Sequence, residues 1–525
     1  MPDRQILLKV FAALFIFIFS FTFLGRAAAA PVVTTSLGSI EGVDAGHMEV
    51  FMGIPYAKAP TGELRFAPPQ KTEPFASVLK ANSFCPIFPQ LGFLATKSSQ
   101  RMSENALCLN IFRPKNATAA SKLPVYVWIH GGAYLMGSGS NPLYDGSVFA
   151  KQGIILVTIN YRLNALGFYA SRQTLKDFGT TGNWGHLDMV ASLLWLKEHI
   201  SDFGGDPDNI TIGGESAGSM AVSALILSKK AEGLFKRAIL ESGTILSHPF
   251  GSLNRESNKK SSFLNSATMA ALFGADDSKA GLSLLRQVEP SLLAYHTAYD
   301  YEFEKNTFSF LTPCFDGGFL PYDPYQTLKS GDFNKVDILI GYNTDEGEWF
   351  TDREITYEIF KQGLFNRYGY FSGRRVFSLY KAKDYRDSQS AQEALSSYNA
   401  DTMFNLGMKI FADAISKDNR VYMYHFDYAP QNDMFEHRKV LHSSEIKYAF
   451  SNLPAGASEE EYLVAATMNR LFVNFIKNGD PSTAKISWPV YDKDEARVLR
   501  IGSKTEVEQF KLKDRLLKLE AEIME

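Results

Sequence analysis

The sequence predicts an α/β fold in which a mainly parallel sheet is covered by helices. Apolar runs at 125–129 and 154–159 show no polar alternation, which is typical of strands buried on both faces of a sheet. Helical patterns separate these runs, the clearest at 187–199, with an apolar stripe and with Lys197 and Glu198 outside it. Four further strands are predicted, at 210–212, 237–240, 336–340 and 421–426.

Two regions depart from this alternation. Short extended pieces at 32–43 and 50–54 predict antiparallel strands at one edge of the sheet. The stretch 347–418 is helix-like and rich in Tyr and Phe, and it predicts an insertion that walls a pocket over the active site. Because no repeat or linker divides the chain, we expect one domain spanning residues 30–525.

Composition narrows the class of protein. The 525 residues are 45% hydrophobic and 21% charged, with a formal net charge of −3, which argues against disorder. A nucleic-acid partner is not expected, because no cluster of Lys and Arg offers a basic face. Neither Cys-x-x-Cys nor His-Glu-x-x-His spacing occurs, so no metal or cofactor is predicted.

Residues 1–29 resemble a secretory signal peptide. Arg4 and Lys9 precede an apolar run at 10–24, and alanines at 27–30 supply the small residues of a cleavage site. We expect cleavage after Ala29, because Pro31 is unfavourable just after a scissile bond. The alternative is an uncleaved anchor, but the run is shorter than the ~20 residues needed to span hydrocarbon. A secreted or periplasmic protein without a stable membrane anchor is expected.

The pentapeptide 214–218, which reads Gly-Glu-Ser-Ala-Gly, is the most informative motif. It follows a predicted strand and opens an apolar helix through Met220 and Val222. In that context Gly-x-Ser-x-Gly is typical of a nucleophile elbow, a sharp turn that exposes the serine hydroxyl. Ser216 is therefore the predicted nucleophile, and the alternative is an ordinary tight turn.

A serine nucleophile needs donors for the tetrahedral oxyanion. The run 128–134, Trp-Ile-His-Gly-Gly-Ala-Tyr, ends a predicted strand in a loop of small residues whose amides can point at a ligand. Gly132 and Ala133 are the candidate donors, with Ala217, the residue after the nucleophile, as the third.

The general base is sought among nine histidines. In α/β hydrolases the chain order is Ser, acid, His, which leaves His437 and His442. His442 is favoured because it lies in a loop before a short helix, whereas His437 lies among charged residues. Asp345 and Glu346 both follow a predicted strand, and the residues alone do not choose between them as the acid. The histidines set aside are His47, His130, His186, His199, His248, His296 and His425.

Together these segments resemble the type-B carboxylesterase family of α/β hydrolases. Matching motifs cover nearly all of the chain after the leader, at 51–57, 160–163, 203–207, 241–243 and 316–317. The resemblance implies Glu346 as the acid, in Asp-Glu-Gly, and His442 as the base, in His-x-x-Glu-Ile. It also implies Ser242 as a supporting hydrogen-bonding group, and Glu215, inside the elbow, is assigned a supporting position as well.

The resemblance implies a serine hydrolase that cleaves small-molecule carboxylic esters through an acyl-enzyme. The alternatives are a non-catalytic adhesion member of the same fold and an amidase or lipase variant. No Trp occurs between Cys85 and Cys108 to bind a quaternary ammonium, which argues against a cholinesterase.

Two departures from the family pattern affect what is expected. Ala133 stands where many members have a third glycine, and its methyl group is expected to crowd bulky substrates. The usual cysteine position is Ala106, and Cys108 lies two residues later. The family's disulfide then becomes a tentative Cys85 to Cys108 bond, with Cys314 as a free buried thiol.

Overall fold

A computed structural model describes residues 30–91, 100–246, 251–252, 261–299, 311–380, 388–430 and 439–523. The predicted signal peptide therefore lies outside the described residues. The strands are β1 Val32–Thr35, β2 Gly38–Glu41, β3 Val43–Asp44, β4 Met48–Pro55, β5 Leu79–Lys80, β6 Cys108–Pro114, β7 Leu123–Ile129, β8 Ile155–Ile159, β9 Gly205–Glu215, β10 Arg237–Glu241, β11 Gly251–Ser252, β12 Cys314–Phe315, β13 Asp337–Asn343, β14 Val421–Asp427, β15 Arg497–Gly502 and β16 Glu506–Gln509.

The α-helices lie mostly between the strands of the sheet. They are α1 Ser147–Lys151, α2 Asn164–Phe168, α3 Arg172–Phe178, α4 Trp184–His199, α5 Ala217–Leu227, α6 Ser262–Ala271, α7 Lys279–Leu285, α8 Pro290–Tyr299, α9 Pro324–Ser330, α10 Tyr357–Leu379, α11 Ser388–Ala400, α12 Leu406–Ile415, α13 Ile446–Ala449, α14 Glu459–Asn478 and α15 Lys513–Ile523. Within the described ranges, no helix has both the length and the apolar composition needed to cross a membrane.

The central sheet has eleven strands in the order β16-β15-β14-β13-β10-β9-β7-β8-β6-β4-β3. The seven strands from β15 to β8 pair in parallel, and antiparallel pairs flank them on both sides. Alternate side chains enter two separate cores, as Val127 and Ile129 do on one face and Tyr126 and Trp128 on the other. The predicted mainly parallel sheet, buried on both faces, is confirmed.

The N-terminal strands divide between two sheets. As predicted, β3 and β4 are antiparallel strands at the edge of the large sheet. In contrast, β1 and β2 form a separate three-stranded sheet with β5, so the edge position predicted for 32–41 is wrong. Gly42 lies between the two sheets, where the chain passes close against β4. A side chain does not fit there, because a Cβ would lie 2.6 Å from the Val50 carbonyl oxygen.

The predicted insertion consists of α10, α11 and α12, with a π-helical segment, Asp401–Asn405, between the last two. An α-helix cannot pass through the φ of 76° at Gly369, so α10 is kinked there. The π-helical segment matters for the site, since such irregular turns re-aim the side chains that follow them.

Cys85 and Cys108 are joined by a disulfide, with their Cα atoms 6.7 Å apart. Asn160 Nδ2 lies 3.4 Å from the sulfur of Cys85 and 3.7 Å from that of Cys108. Cys314 is a free buried cysteine, and burial raises the pKa of its thiol. The pairing inferred from the family pattern is therefore present despite the two-residue displacement.

We expect this disulfide to stabilise the fold by about 3 kcal/mol, because it closes a loop between residues 23 apart. Denaturant unfolding of the Cys85→Ser, Cys108→Ser double variant measures the loss, with Cys314→Ser as the control that leaves the bond intact. Thiol counting under denaturing, non-reducing conditions should give one free thiol, and three free thiols would refute the bond.

Candidate active site

Ser216 occupies a sharp turn between β9, which ends at Glu215, and α5, which begins at Ala217. Its backbone φ of 55° and ψ of −123° lie outside the regions that residues other than glycine usually adopt. The flanking glycines are required sterically, because a Cβ at Gly214 or Gly218 would lie 2.5 Å or 2.0 Å from the Ile129 carbonyl oxygen. Ser216 is half-buried, so its hydroxyl is accessible at the predicted elbow.

The loop after β7 runs beside this turn. Gly132, Ala133 and Tyr134 have φ values of 104°, 56° and 61°, three successive left-handed residues. The amides of Gly132 and Ala133 donate no hydrogen bond to the residues that the structure describes. Ala217 is the first residue of α5, where amides have no intrahelical acceptor. The three predicted donors are thus available, and the Ala133 methyl group is exposed.

His442 is buried and held by one carboxylate. Its Nδ1 lies 2.6 Å from Glu346 Oε2. The other oxygen of Glu346 accepts hydrogen bonds from Ser242 Oγ at 2.5 Å and from the Asn343 amide at 2.7 Å. Three donors therefore fix the Glu346 carboxylate, which in turn orients the imidazole.

Asp345, the other acid candidate, points elsewhere. Its Oδ2 accepts the Val440 amide at 2.8 Å, and Asp345 pairs with Leu441 in an isolated bridge. This bridge brings the loop after β13 against the loop that carries His442. Of the two acid candidates, Glu346 is the one that bonds to the ring. His437, the other base candidate, lies outside the described residues.

The second ring nitrogen of His442 has no hydrogen-bond partner among the described residues. It lies 3.2 Å from Glu215 Oε1, which itself accepts a 2.5 Å hydrogen bond from Ser443 Oγ. The expected hydrogen bond between Ser216 Oγ and this nitrogen is therefore not formed. The carboxylate of Glu215, one residue before the nucleophile, attracts the imidazole instead. Hydrogen bonds between a nucleophile and its base are often long before substrate binds.

Three buried carboxyl groups, those of Glu215, Glu346 and Glu445, act on this imidazole, and a fourth, that of Glu241, interacts with Glu215 and Glu445. We call these four residues the carboxyl cluster. Burial by itself lowers the pKa of His442. The charges of Glu215, Glu346 and Glu445 and the hydrogen bond to Glu346 outweigh burial and raise that pKa to about 9. His442 thus holds its proton more tightly than an ordinary histidine.

Sequence reasoning gave Glu445 no role, although it lies in the His-x-x-Glu-Ile motif. Asn343 Nδ2 donates to Glu445 Oε2, and Ser242 Oγ lies 3.4 Å from Glu445 Oε1. Burial and the charges of Glu215 and Glu346 raise the pKa of Glu445 to about 8. Ser242, assigned a supporting position from the family pattern, thus contacts two carboxyl groups of the cluster.

Two aromatic rings of the insertion cover the imidazole. The ring centroid of Phe404 lies 4.5 Å and that of Phe350 5.5 Å from that of His442. Phe404 belongs to the π-helical segment, which is tied down where Arg515 and Tyr380 bind the Asp401 carboxylate. The Tyr and Phe content of 347–418 indicated a wall, but it did not indicate which rings reach the site.

Three histidines set aside in the sequence have structural roles. His130 stacks on Tyr161 at 4.4 Å, and burial lowers its pKa to about 4. Burial lowers the pKa of His186 to about 3. His425 lies between Thr344 and Glu508. In the described part of the chain, no group of three or more His, Cys, Asp or Glu residues is arranged to hold a metal ion.

The parallel sheet, the serine at the strand-to-helix turn and the order Ser216, Glu346, His442 define the α/β-hydrolase class of fold. Comparison with known proteins assigns the chain within that class. The sequence profile of the Carboxylesterase family matches residues 29–519, and the chain belongs to this family. It is a carboxylic ester hydrolase.

Similar proteins cover almost the whole chain. The para-nitrobenzyl esterase of Bacillus subtilis (strain 168) is 33% identical over 491 residues, which is 91% of this chain and 96% of that protein. Carboxylesterase 1D of Rattus norvegicus is 32% identical over 97% of this chain and 96% of its own length. A solved PNB esterase structure superposes with a TM-score of 0.80 at 32% identity, covering 93% of this chain and 100% of that one.

Proposed function

We propose that this hydrolase cleaves small carboxylic esters through an acyl-enzyme, with Ser216 as nucleophile, His442 as general base and Glu346 as the acid that orients it. The observation that carries the proposal is the strained, accessible turn at Ser216 together with the 2.6 Å pair of His442 and Glu346. The strained turn costs stability, and a buried histidine with a shifted pKa beside a carboxylate is typical of a catalytic site.

In the proposed reaction, neutral His442 takes the Ser216 proton at Nε2 while Ser216 Oγ attacks the ester carbonyl. The amides of Gly132, Ala133 and Ala217 bind the oxyanion. The imidazolium returns its proton to the alcohol, which leaves as the C–O bond breaks. Water then loses a proton to His442, attacks the acyl group and releases the acid and the free serine.

For this sequence of steps, the imidazole moves from Glu215 towards Ser216 when substrate binds. Glu215 lies 3.2 Å from Nε2 and stabilises the protonated ring, which cannot accept the serine proton. The rings of Phe350 and Phe404 exclude water on the opposite side of His442. We propose that Ala133 limits the size of the group beside the oxyanion, because its methyl group is exposed in that loop.

We also propose that the protein is secreted or periplasmic, with residues 1–29 removed and residues 30–525 folding as one domain. The apolar run at 10–24 and the cleavage-type alanines support export. The Cys85 to Cys108 disulfide adds support, because such bonds persist in oxidising compartments. Mass spectrometry of the exported protein tests this proposal, and a mature chain that still begins at residue 1 would contradict it.

A fluorophosphonate probe tests the proposed chemistry directly, because it phosphonylates only an activated serine. We expect one equivalent of label, located on Ser216 by peptide mapping, and none on the Ser216→Ala variant. A folded protein that takes up no label would instead support the non-catalytic adhesion alternative.

The pH profile of kcat/KM follows from the pKa of His442. Only the neutral imidazole accepts the serine proton, so activity should rise with pH and reach half its maximum near pH 9 in the free enzyme. The sequence alone predicts a rise with an apparent pKa of about 6 to 7.5, the range of an ordinary histidine. A profile that levels off below about pH 7 would contradict the structural value.

Glu215→Gln should move this midpoint down by about one pH unit, because it removes the largest of the charges that raise the pKa of His442. Glu508→Gln is the matched control, since Glu508 pairs with His425 instead. The control should leave the midpoint where it is in the wild type.

A further inference from the structure

Glu241, the last residue of β10, is the one member of the carboxyl cluster without a hydrogen bond. It is fully buried, and neither of its side-chain oxygens has a partner among the described residues. The other three members each accept a hydrogen bond, Glu215 from Ser443, Glu346 from Ser242 and Glu445 from the Asn343 side chain. An ionised carboxylate with no donor in a dry environment is very costly, so this arrangement requires another explanation.

Two tyrosines lean towards Glu241 over glycines of the strands beside β10. In β13, Gly341 is in register with both Glu241 and Tyr424, and a Cβ at Gly341 would lie 2.2 Å from the Tyr424 ring. In β9, a Cβ at Gly213 would lie 2.4 Å from the Tyr126 hydroxyl oxygen. The glycines thus leave room for both rings to cross a neighbouring strand towards β10.

The hydroxyl groups of Tyr126 and Tyr424 are also buried without a partner among the described residues. For both tyrosines, burial raises the pKa of the hydroxyl, so both hydroxyls are neutral. Both hydroxyls approach β10 over the neighbouring glycines, and neither forms a hydrogen bond with the Glu241 carboxyl oxygens. A region with this many polar partners is one that internal water occupies.

The charges nearby disfavour an ionised Glu241. Glu215 is its register neighbour in β9, and Glu445 follows the loop of His442. Burial and the charges of Glu445 and Glu215 raise the pKa of Glu241 well above its usual range. The Tyr144 hydroxyl, which also interacts with Glu241, is neutral because burial raises its pKa. In the described part of the chain, no Lys or Arg is ion-paired with any member of the cluster.

We propose that Glu241 is an uncharged carboxylic acid that binds internal water together with the hydroxyls of Tyr126 and Tyr424. A neutral Glu241 avoids a second buried negative charge beside Glu215, its register neighbour in β9. The reading from turnover rests on the proposed role of His442, whereas the protonation of Glu241 does not.

Infrared spectroscopy tests the protonation without any turnover. The carbonyl stretch of a protonated carboxylic acid is separate from that of a carboxylate. At neutral pH, Glu241→Gln should remove the contribution of one protonated carboxyl group from the wild-type spectrum. An unchanged protonated band in the folded variant would show that Glu241 is ionised and would overturn the proposal.

The tyrosines test the shared water. In the double variant Tyr126→Phe, Tyr424→Phe, the carbonyl band assigned to Glu241 should shift, because the bound water loses two of its partners. Tyr422→Phe is the matched control, since Tyr422 lies in β14 two residues before Tyr424 and its hydroxyl interacts with Arg420 and Asp337 instead of Glu241. A band that stays in place in the double variant would refute the shared water site.

The pH profile of kcat/KM gives a second reading. Glu241→Gln replaces a neutral acid by a neutral amide of the same shape, so its midpoint should equal that of the wild type. A midpoint shifted down would mean that the variant had removed a negative charge, which would overturn the proposal. The infrared band of Glu241 does not depend on the triad. Failure of the proposed function and failure of this inference are therefore distinguishable.

Discussion

Ser216→Ala is expected to lower kcat by about 10³-fold or more, because the proposed triad acts as a unit and no other group can form the acyl-enzyme. The remaining activity would come from oxyanion and substrate binding alone. Stopped-flow or steady-state assays with an aryl ester measure the change. KM should change little, since the serine hydroxyl contributes mainly in the transition state.

Ser219→Ala is the matched control for this variant. Ser219 lies one turn further along α5 and donates its hydroxyl to the Gly243 carbonyl, 2.6 Å away. Its loss should affect stability more than kcat. If Ser216→Ala retained about a tenth of the wild-type activity, Ser216 would not be the nucleophile.

Glu346→Gln should lower kcat by roughly 10³-fold to 10⁴-fold, the size of effect seen when an orienting carboxylate becomes an amide. Glu346 accepts from Ser242, from the Asn343 amide and from the His442 ring. A glutamine in its place has to turn its amide group towards one of these donors, and it no longer stabilises the imidazolium that forms during attack.

Asp345→Asn separates the two acid candidates that the residues alone left open. The Asp345 carboxylate holds the Val440 amide and does not contact His442, so this variant should keep kcat within about threefold of the wild type. If Asp345→Asn caused the larger loss, the assignment of the acid to Glu346 would be wrong. Circular dichroism of both variants establishes that each is folded.

Much of the sheet could be predicted from local sequence. Strands such as β7 and β8 are continuous apolar runs, which are typical of strands buried on both faces of a sheet. The helix α4 was predicted from an apolar stripe, and in the structure it is buried on most of its surface instead of on one face. The turn at Ser216 was also predictable, because the Gly-x-Ser-x-Gly pattern between a strand and a helix is a local signature. The atom that excludes a Cβ at both glycines, however, is the carbonyl oxygen of the distant Ile129.

The placement of β1 and β2 was not predictable in the same way. Both are short extended segments, and nothing local distinguishes a strand at the edge of the large sheet from one in a separate sheet with β5. Their pairing depends on where Leu79–Lys80 lies after folding, some forty residues further along the chain. Pairing of this kind is a tertiary contact.

The sequence by itself determined the family, the elbow and the short set of residues able to supply an acid and a base, because each depends on residue type and order. Only the tertiary structure turned Glu346 rather than Asp345 towards His442 and brought Cys85 to Cys108. It also placed the Glu241 carboxyl group near two tyrosines, with no hydrogen-bond donor among the described residues. It also raised the pKa of His442 to about 9. The physical reason is that hydrogen bonding, burial and charge act through space, between loops and strands up to hundreds of residues apart in the chain.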